Sequence, residues 1–392
     1  MMKNHAPSKT LVIVFLMFLL VSIMPSLGAI SQSLFLSITK DDVLYQSSFQ
    51  FEPEDITLQD DAYQSGRKDT YVPFTEWWYF DAIFDNGYSA QVAVRVIGLL
   101  NEEITVVKRL DIYKDNKLEY HEQEFHILND FKASTTEPYV EINNEPVIKG
   151  YTNEDDEWIY DLFFKMDDAY AVLHLVGITK GYKGDVPGSK WVVVYPKATV
   201  TGTINYDGET TQVKGLAYHD HNYQFTAESV TNYGWYWGKI YTENYTINWA
   251  QILSNKYSGD PLMVISRTNG ENINVLAGDI EFTADDFRVY GKNEIPYHFK
   301  IKIETENLKL NVEMAPSNIH FCKIMQVMRY WRYHLNCQGT LTIDSEKEEI
   351  QEITISEYLR FKPFNDISHF KLLSKIRFNG LLRCLLAHIG AS

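Results

Sequence analysis

The sequence predicts an all-β molecule: two antiparallel β-barrel halves side by side, a hydrophobic signal or anchor helix before them and an amphipathic helix after them. Three observations lead there. Alternating apolar and polar stretches recur at short spacing between residues 50 and 362, where helical periodicity is scarce. Turn words punctuate them: Asp85-Asn86-Gly87, Asp115-Asn116-Lys117 and Asp207-Gly208. The pattern then restarts about midway, and each half is long enough for eight or more strands.

Taken in order, the chain opens on a weakly basic stretch with Lys3 and Lys9, followed by an almost purely aliphatic run at 11–24. Small residues in Pro25-Ser26-Leu27-Gly28-Ala29 offer a cleavage site, so residues 1–30 read as a signal peptide. About 14 apolar residues fall short of the roughly 20 that span a bilayer. An uncleaved anchor reaching Ile30 is the alternative. An extended lead-in covers 31–74, the first barrel 75–213 and the second 214–365. Within the first, 89–98, 104–113, 158–164, 170–176 and 191–195 all alternate as strands do. The 366–392 tail turns helical and basic, with Lys371, Lys375, Arg377 and Arg383 beside Leu373, Leu381 and Leu385. Such a helix lies on a membrane surface or packs on a barrel.

The 392 residues carry a formal net charge of −16, which argues against a nucleic-acid partner. Tyrosine reaches 26, with 21 Phe and 8 Trp, a supply of rings suited to strands and half-polar cavities. Three cysteines make no disulfide framework: Cys322 and Cys337 either pair across a hairpin or are buried singly, and Cys384 is left over.

Chemistry concentrates in two words. In Glu76-Trp77-Trp78-Tyr79-Phe80, alternation puts Glu76, Trp78 and Phe80 on one strand face and Trp77, Tyr79 and Asp81 on the other. A carboxylate beside such rings needs a cation, Arg95 or Arg109, or keeps its proton. In Tyr218-His219-Asp220-His221-Asn222, the face of Tyr218, Asp220 and Asn222 opposes that of His219 and His221. Two His at this spacing could chelate zinc, but no third ligand is evident beyond Glu228 and His174, so no metal and no cofactor are expected. Burial would raise the Asp220 pKa and make it a proton donor. The aromatic Gly234-Trp235-Tyr236-Trp237-Gly238, with Trp249 on the next strand, reads as pocket lining or as barrel filling. Phosphate loops and the Gly-x-Ser-x-Gly elbow are absent. His121-Glu122-Gln123-Glu124-Phe125-His126 is one residue too long for a zinc-protease motif.

The two words and Trp235-Tyr236-Trp237-Gly238, in that order over residues 75–360, resemble the superfamily of carotenoid 1,2-hydratases (hydroxyneurosporene synthases) and AttH-type lipocalin-like proteins. Fungal Diels–Alderases and tocopherol cyclases resemble it more distantly. The resemblance implies two lipocalin-like barrels with a pocket for a greasy ligand. It implies Asp220, His219 and His221 as the acid–base group; Glu76, from its own place in the first word, is either a further catalytic acid or a strand-end anchor of the barrel. Trp78, Phe80, Tyr218, Asn222, Trp235, Trp237 and Trp249 are the expected ligand contacts. The chain departs from the family where Tyr223-Gln224 follows the His-Asp-His-Asn run in place of Trp-Gly, and in its basic tail. The expectation is an exported, secreted or membrane-anchored protein binding an isoprenoid or other lipid, with hydratase or cyclase chemistry by proton transfer to an alkene. A non-catalytic lipid carrier and an envelope structural protein are the alternatives. The enzyme and the carrier rest on tryptophan-rich strands curling round an internal hollow; the structural protein has filled barrels and no pocket.

Overall fold

The computed structural model describes residues 50–64, 74–98, 104–224, 233–268, 270–324 and 328–361. The helices expected at 1–30 and 366–392 lie outside them, as does Cys384. Among the described residues no helix is long and apolar enough to cross a membrane.

Strands dominate. The first sheet holds β1 (Phe74–Phe84), β2 (Tyr88–Gly98), β3 (Ile104–Lys114), β4 (Lys117–Ile127), β5 (Phe131–Ala133), β6 (Tyr139–Ile142), β7 (Glu145–Thr152), β8 (Trp158–Lys165), β9 (Tyr170–Gly177), β10 (Tyr182–Val186), β11 (Ser189–Tyr206) and β12 (Glu209–Tyr223). The second holds β13 (Gly234–Tyr241), β14 (Tyr245–Leu253), β15 (Gly259–Arg267), β16 (Asn272–Val275), β17 (Glu281–Tyr290), β18 (Asn293–Glu304), β19 (Leu308–Ile324), β20 (Met328–Ile343) and β21 (Glu346–Phe361). One forms a nearly closed barrel and the other a half-barrel.

The two sheets are built alike. Each begins with a four-strand meander, β1–β4 or β13–β16. Each then turns through a single 3-10 turn, Leu128–Asp130 or Ala277–Asp279. Each returns as a second meander whose last strand pairs with the first, β12 on β1 and β21 on β13. β12 spans residues on both sides of 213/214 and pairs with β1. The strand bearing the His-Asp-His word closes the first sheet instead of opening the second.

Local chemistry explains the hairpins. Asp115 and Asn116 have φ of 49° and 65°, and Asp207 and Gly208 have 52° and 75°. That is the double positive φ of a type I′ turn, whose twist matches the strands it joins. Side chains on alternate positions then fill each sheet's concave face. Trp78, Phe80, Val92, Leu110 and Tyr160 belong to the first core. Tyr236, Trp249, Phe299, Trp331 and Tyr358 belong to the second. The hollow expected inside the tryptophan-rich strands is therefore filled with side chains in both cores. Cys322 and Cys337 are buried free thiols, opposite Tyr330 and Met314 in the β19–β20 ladder, so the hairpin disulfide is not formed.

Gly238 in the Gly-Trp-Tyr-Trp-Gly word makes room for a neighbouring ring. A Cβ there would sit 2.6 Å from Cζ2 of Trp249 and 3.0 Å from the Ser356 hydroxyl. Gly238→Ala is expected to cost about 1–3 kcal/mol by overpacking. The check is a lower urea midpoint at unchanged m-value.

The opposite, convex faces meet one another. A third cluster gathers Tyr79, Trp191, Val193 and Tyr218 from the first sheet with Trp237, Leu262 and Val264 from the second. Polar bonds stitch the same seam. Lys239 Nζ lies 2.6 and 2.8 Å from the Asp81 carboxylate. Arg332 donates to the Tyr79 hydroxyl at 2.7 Å, and Ser89 meets His334 at 2.9 Å.

Candidate functional site

Strand alternation splits both chemical words across two compartments. β1 and β12 run antiparallel, with Tyr79 opposite Asp220 and Trp78 opposite His221. Odd positions of β1 and even positions of β12 turn to the seam; their neighbours turn into the first core.

At the seam lies a pocket of about 270 Å³, close to the lower end of small-molecule sites. Trp77, Tyr79, Trp191, Trp235 and Trp237 supply aromatic walls, and Ala93, Ile97, Val186, Ile252 and Leu359 supply aliphatic ones. Asp220 and Asn222 reach it from β12, Arg95 and Arg109 from β2 and β3, and Glu357 from β21. Asp220 is buried, with side-chain donors Trp191 Nε1 and Tyr218 Oη each 2.9 Å from Oδ2. Burial raises its pKa to about 7, against the opposing pull of those two hydrogen bonds. Near neutral pH this carboxyl is thus partly protonated and able to act as an acid. Glu357 accepts a hydrogen bond from Trp235 Nε1 at 2.9 Å.

On the other face, inside the first core, sits a sealed carboxylate–imidazole cluster. His219 bonds Asp61 Oδ2 at 3.0 Å and the Tyr79 carbonyl at 3.0 Å. His221 lies between Glu76, at 2.9 Å, and Asp61, at 3.2 Å. Tyr160 donates to Asp61 at 2.5 Å. Trp78 stacks on His221 at 4.6 Å and Phe80 on His219 at 3.7 Å. Glu76 therefore finds its counter-charge in His221; Arg95 stacks on Trp77 and Arg109 pairs with Asp111. The cluster ties the lead-in at 58–64 to the barrel, because Asp61 belongs to the Leu58–Asp61 turn.

Burial opposes charge on His221, but Asp61 and Glu76 overcome it and lift its pKa to about 9. Burial likewise opposes charge on Asp61, yet His219 and His221 pull it down to about 2. A raised histidine stabilises fully below its unfolded value of 6.5 and ceases to do so as pH climbs through 9. A depressed aspartate stabilises above 3.8 and ceases to do so as pH falls through 2. Urea midpoints are expected to be highest between 3.8 and 6.5 and to fall on both sides. His221→Gln is expected to flatten the alkaline limb and, because His221 also helps hold Asp61 down, to weaken the acid limb in part.

Of the expected site residues, Asp220, Asn222, Trp235 and Trp237 line the seam pocket, with Tyr218 directly behind Asp220. Glu76, Trp78, Phe80, His219 and His221 are gathered in the first core, and Trp249 is packed in the second. The four expected acid–base groups are therefore not one constellation. Trp77, Tyr79, Arg95, Trp191, Tyr330 and Glu357 are pocket residues not expected as such. Trp77 and Tyr79 were recoverable from the alternate face of the first word. His174 pairs with Asp161, distant from His219 and His221, and Glu228 lies outside the described residues. Among the described residues no group of three or more His, Cys, Asp or Glu is placed to hold a metal ion.

Two β-sheets packed back to back are a fold that this chain shares with solved AttH-type structures. The chain superposes on a protein from Nitrosomonas europaea assigned as an AttH, with TM-score 0.57 and 13% identity over 78% of this chain and 96% of that one. It is similar to CghA bound to Sch210972, at TM-score 0.54 and 9% identity over 79% and 94%. It is also similar to kievitone hydratase from Nectria haematococca, at TM-score 0.53 and 15% identity over 80% and 98%. At these identities the likeness is one of fold. No protein-family model and no curated sequence matches the chain.

Proposed function

We propose that the seam pocket binds a hydrophobic small molecule, of isoprenoid or other lipid character, and that Asp220 protonates a double bond in it. One observation carries this reading: a buried carboxyl with its pKa lifted to about 7 opens onto tryptophan-lined space. The name of the structural neighbour kievitone hydratase supports the same class of chemistry.

The step balances simply. The Asp220 proton forms a new C–H bond with one alkene carbon, the π pair is consumed, and the other carbon becomes a cation. The faces of Trp77, Trp191, Trp235 and Trp237 steady that charge. Water adds at the cation and returns a proton to the Asp220 carboxylate, giving hydration. An internal nucleophile adding in its place gives ring closure. Apolar contact contributes about 0.8 kcal/mol per buried methylene, so a chain of ten carbons binds usefully. The apolar run at 11–24 supports export, and the basic tail supports contact with a membrane.

The test is purification under native conditions and mass spectrometry of the molecule that travels with the protein, for wild type and Asp220→Asn. A hydrophobic ligand in both, shifted from product towards substrate in the variant, supports the reading. The same ligand in the same form in both would leave a carrier and remove the enzyme.

A further inference from the structure

The pocket holds a cation that the reading above does not use. Arg95, from the middle of β2, reaches the pocket wall with its guanidinium 4.6 Å over the Trp77 ring. No carboxylate comes within 4.0 Å of it, and it has no hydrogen-bond partner, among the described residues. The other cations on this face of the two sheets are committed. Arg109 is held by Asp111 through Nε at 3.0 Å and Nη2 at 2.5 Å. Lys239 is held by Asp81. Glu357 faces Arg95 across the pocket without contacting it, and its Oε1 is occupied by Trp235. Desolvation works against the Arg95 charge and lowers its pKa to about 10, so the residue stays ionised at neutral pH. A guanidinium with all its donors idle, half-sheltered among aromatic and aliphatic side chains, is costly unless something arrives to meet it.

We propose that Arg95 receives the carboxylate of the ligand, so that the pocket selects hydrophobic carboxylic acids over neutral lipids of the same length. This rests on the seam pocket being the ligand site. Guanidinium and carboxylate match as two-pronged partners, and Trp77 fixes the plane of the guanidinium for that approach. The ladder sets the rest of the ligand. Arg95 lies opposite Trp77, and Asp220 lies opposite Tyr79, so one strand and two residues separate the two groups. Strand spacing and rise put their backbones about 12 Å apart. The carboxylate end and the reacting carbons are therefore well separated, and the substrate class is an acid with a remote double bond. A carboxylate at Arg95 also removes a positive charge that would otherwise oppose a carbocation in the same pocket.

The experiment uses the full chain and three probes of one length: decanoate, decan-1-ol and methyl decanoate, with binding followed by calorimetry and tryptophan quenching. Decanoate is expected to bind about tenfold or more tighter than either neutral probe, as a charge-assisted pair implies. Arg95→Met is expected to bring decanoate to the level of decanol while leaving decanol within about twofold. Arg95→Lys is expected to restore part of the preference. Equal binding of acid and alcohol by wild type, or a preference that survives Arg95→Met, overturns the carboxylate assignment and leaves the pocket reading standing. Loss of decanol as well as decanoate in a variant with unchanged near-UV circular dichroism overturns it too. If none of the three probes binds wild type, the pocket reading falls with it.

Discussion

Asp220→Asn is expected to reduce turnover by about 10²–10⁴ while the protein stays folded and loaded with ligand, the range typical for loss of a positioned general acid. The substitution keeps the side chain's shape. An amide oxygen can take the place of Oδ2 and accept from Trp191 and Tyr218, while the amide nitrogen at the Oδ1 position gives up the long bond from Asn222 Nδ2 at 3.3 Å. The transferable proton is missing. Because the acid form is the active one, wild-type turnover is expected to be high below pH 7 and to fall as pH rises through about 7. The variant's residual rate is expected to lack that limb. Both are read from the product-to-substrate ratio of the bound lipid across a pH series. A residual rate with the wild-type pH dependence would move the acid elsewhere.

The second large effect is structural. Asp81→Ala is expected to destabilise the protein by about 3–5 kcal/mol, the usual cost of stranding one partner of a buried ion pair. Asp81 and Lys239 sit on opposite sheets, both essentially out of water. Asp81 also accepts from the Tyr79 hydroxyl at 2.7 Å. Without the carboxylate the Lys239 ammonium is left among Tyr218, Trp237 and Tyr241, whose ring faces recover only part of the lost attraction. Desolvation already depresses the Lys239 pKa, and Asp81 is the main force acting the other way. Asp81→Ala with Lys239→Met is expected to recover much of the loss, since no orphan charge remains. Guanidinium denaturation of the two variants checks this, and a double variant as unstable as the single one would show that the ion pair is not the cause.

Much of this was legible in residue order. Period-two alternation marks the strands, and Asp-Asn and Asp-Gly words mark the turns that received positive φ. Alternation also separates Asp220 from its flanking histidines, since neighbours on a strand face opposite ways. What it does not decide is which face looks into a core and which towards a second sheet. In Glu76-Trp77-Trp78-Tyr79-Phe80 both faces are bulky and both are covered, so the Trp78 face reads as pocket lining just as well as the Trp77 face. Only the curl of the sheet separates them. Arg95, Trp191, Tyr330 and Glu357 come from β2, β11, β20 and β21, and no local pattern joins them. The partner of Glu76 was hidden for the same reason: His221 is adjacent only through the β1–β12 ladder.

The pairing of first strand with last carries a consequence for synthesis. While a nascent chain emerges, β1 displays an open edge bearing Trp77 and Trp78 until the far end of the same half, at β12, leaves the ribosome. Distant partners of this sort slow folding and leave sticky intermediates. The earlier half can nevertheless close before β13 is made, so assembly runs in two successive waves, with helper chaperones most needed in the first.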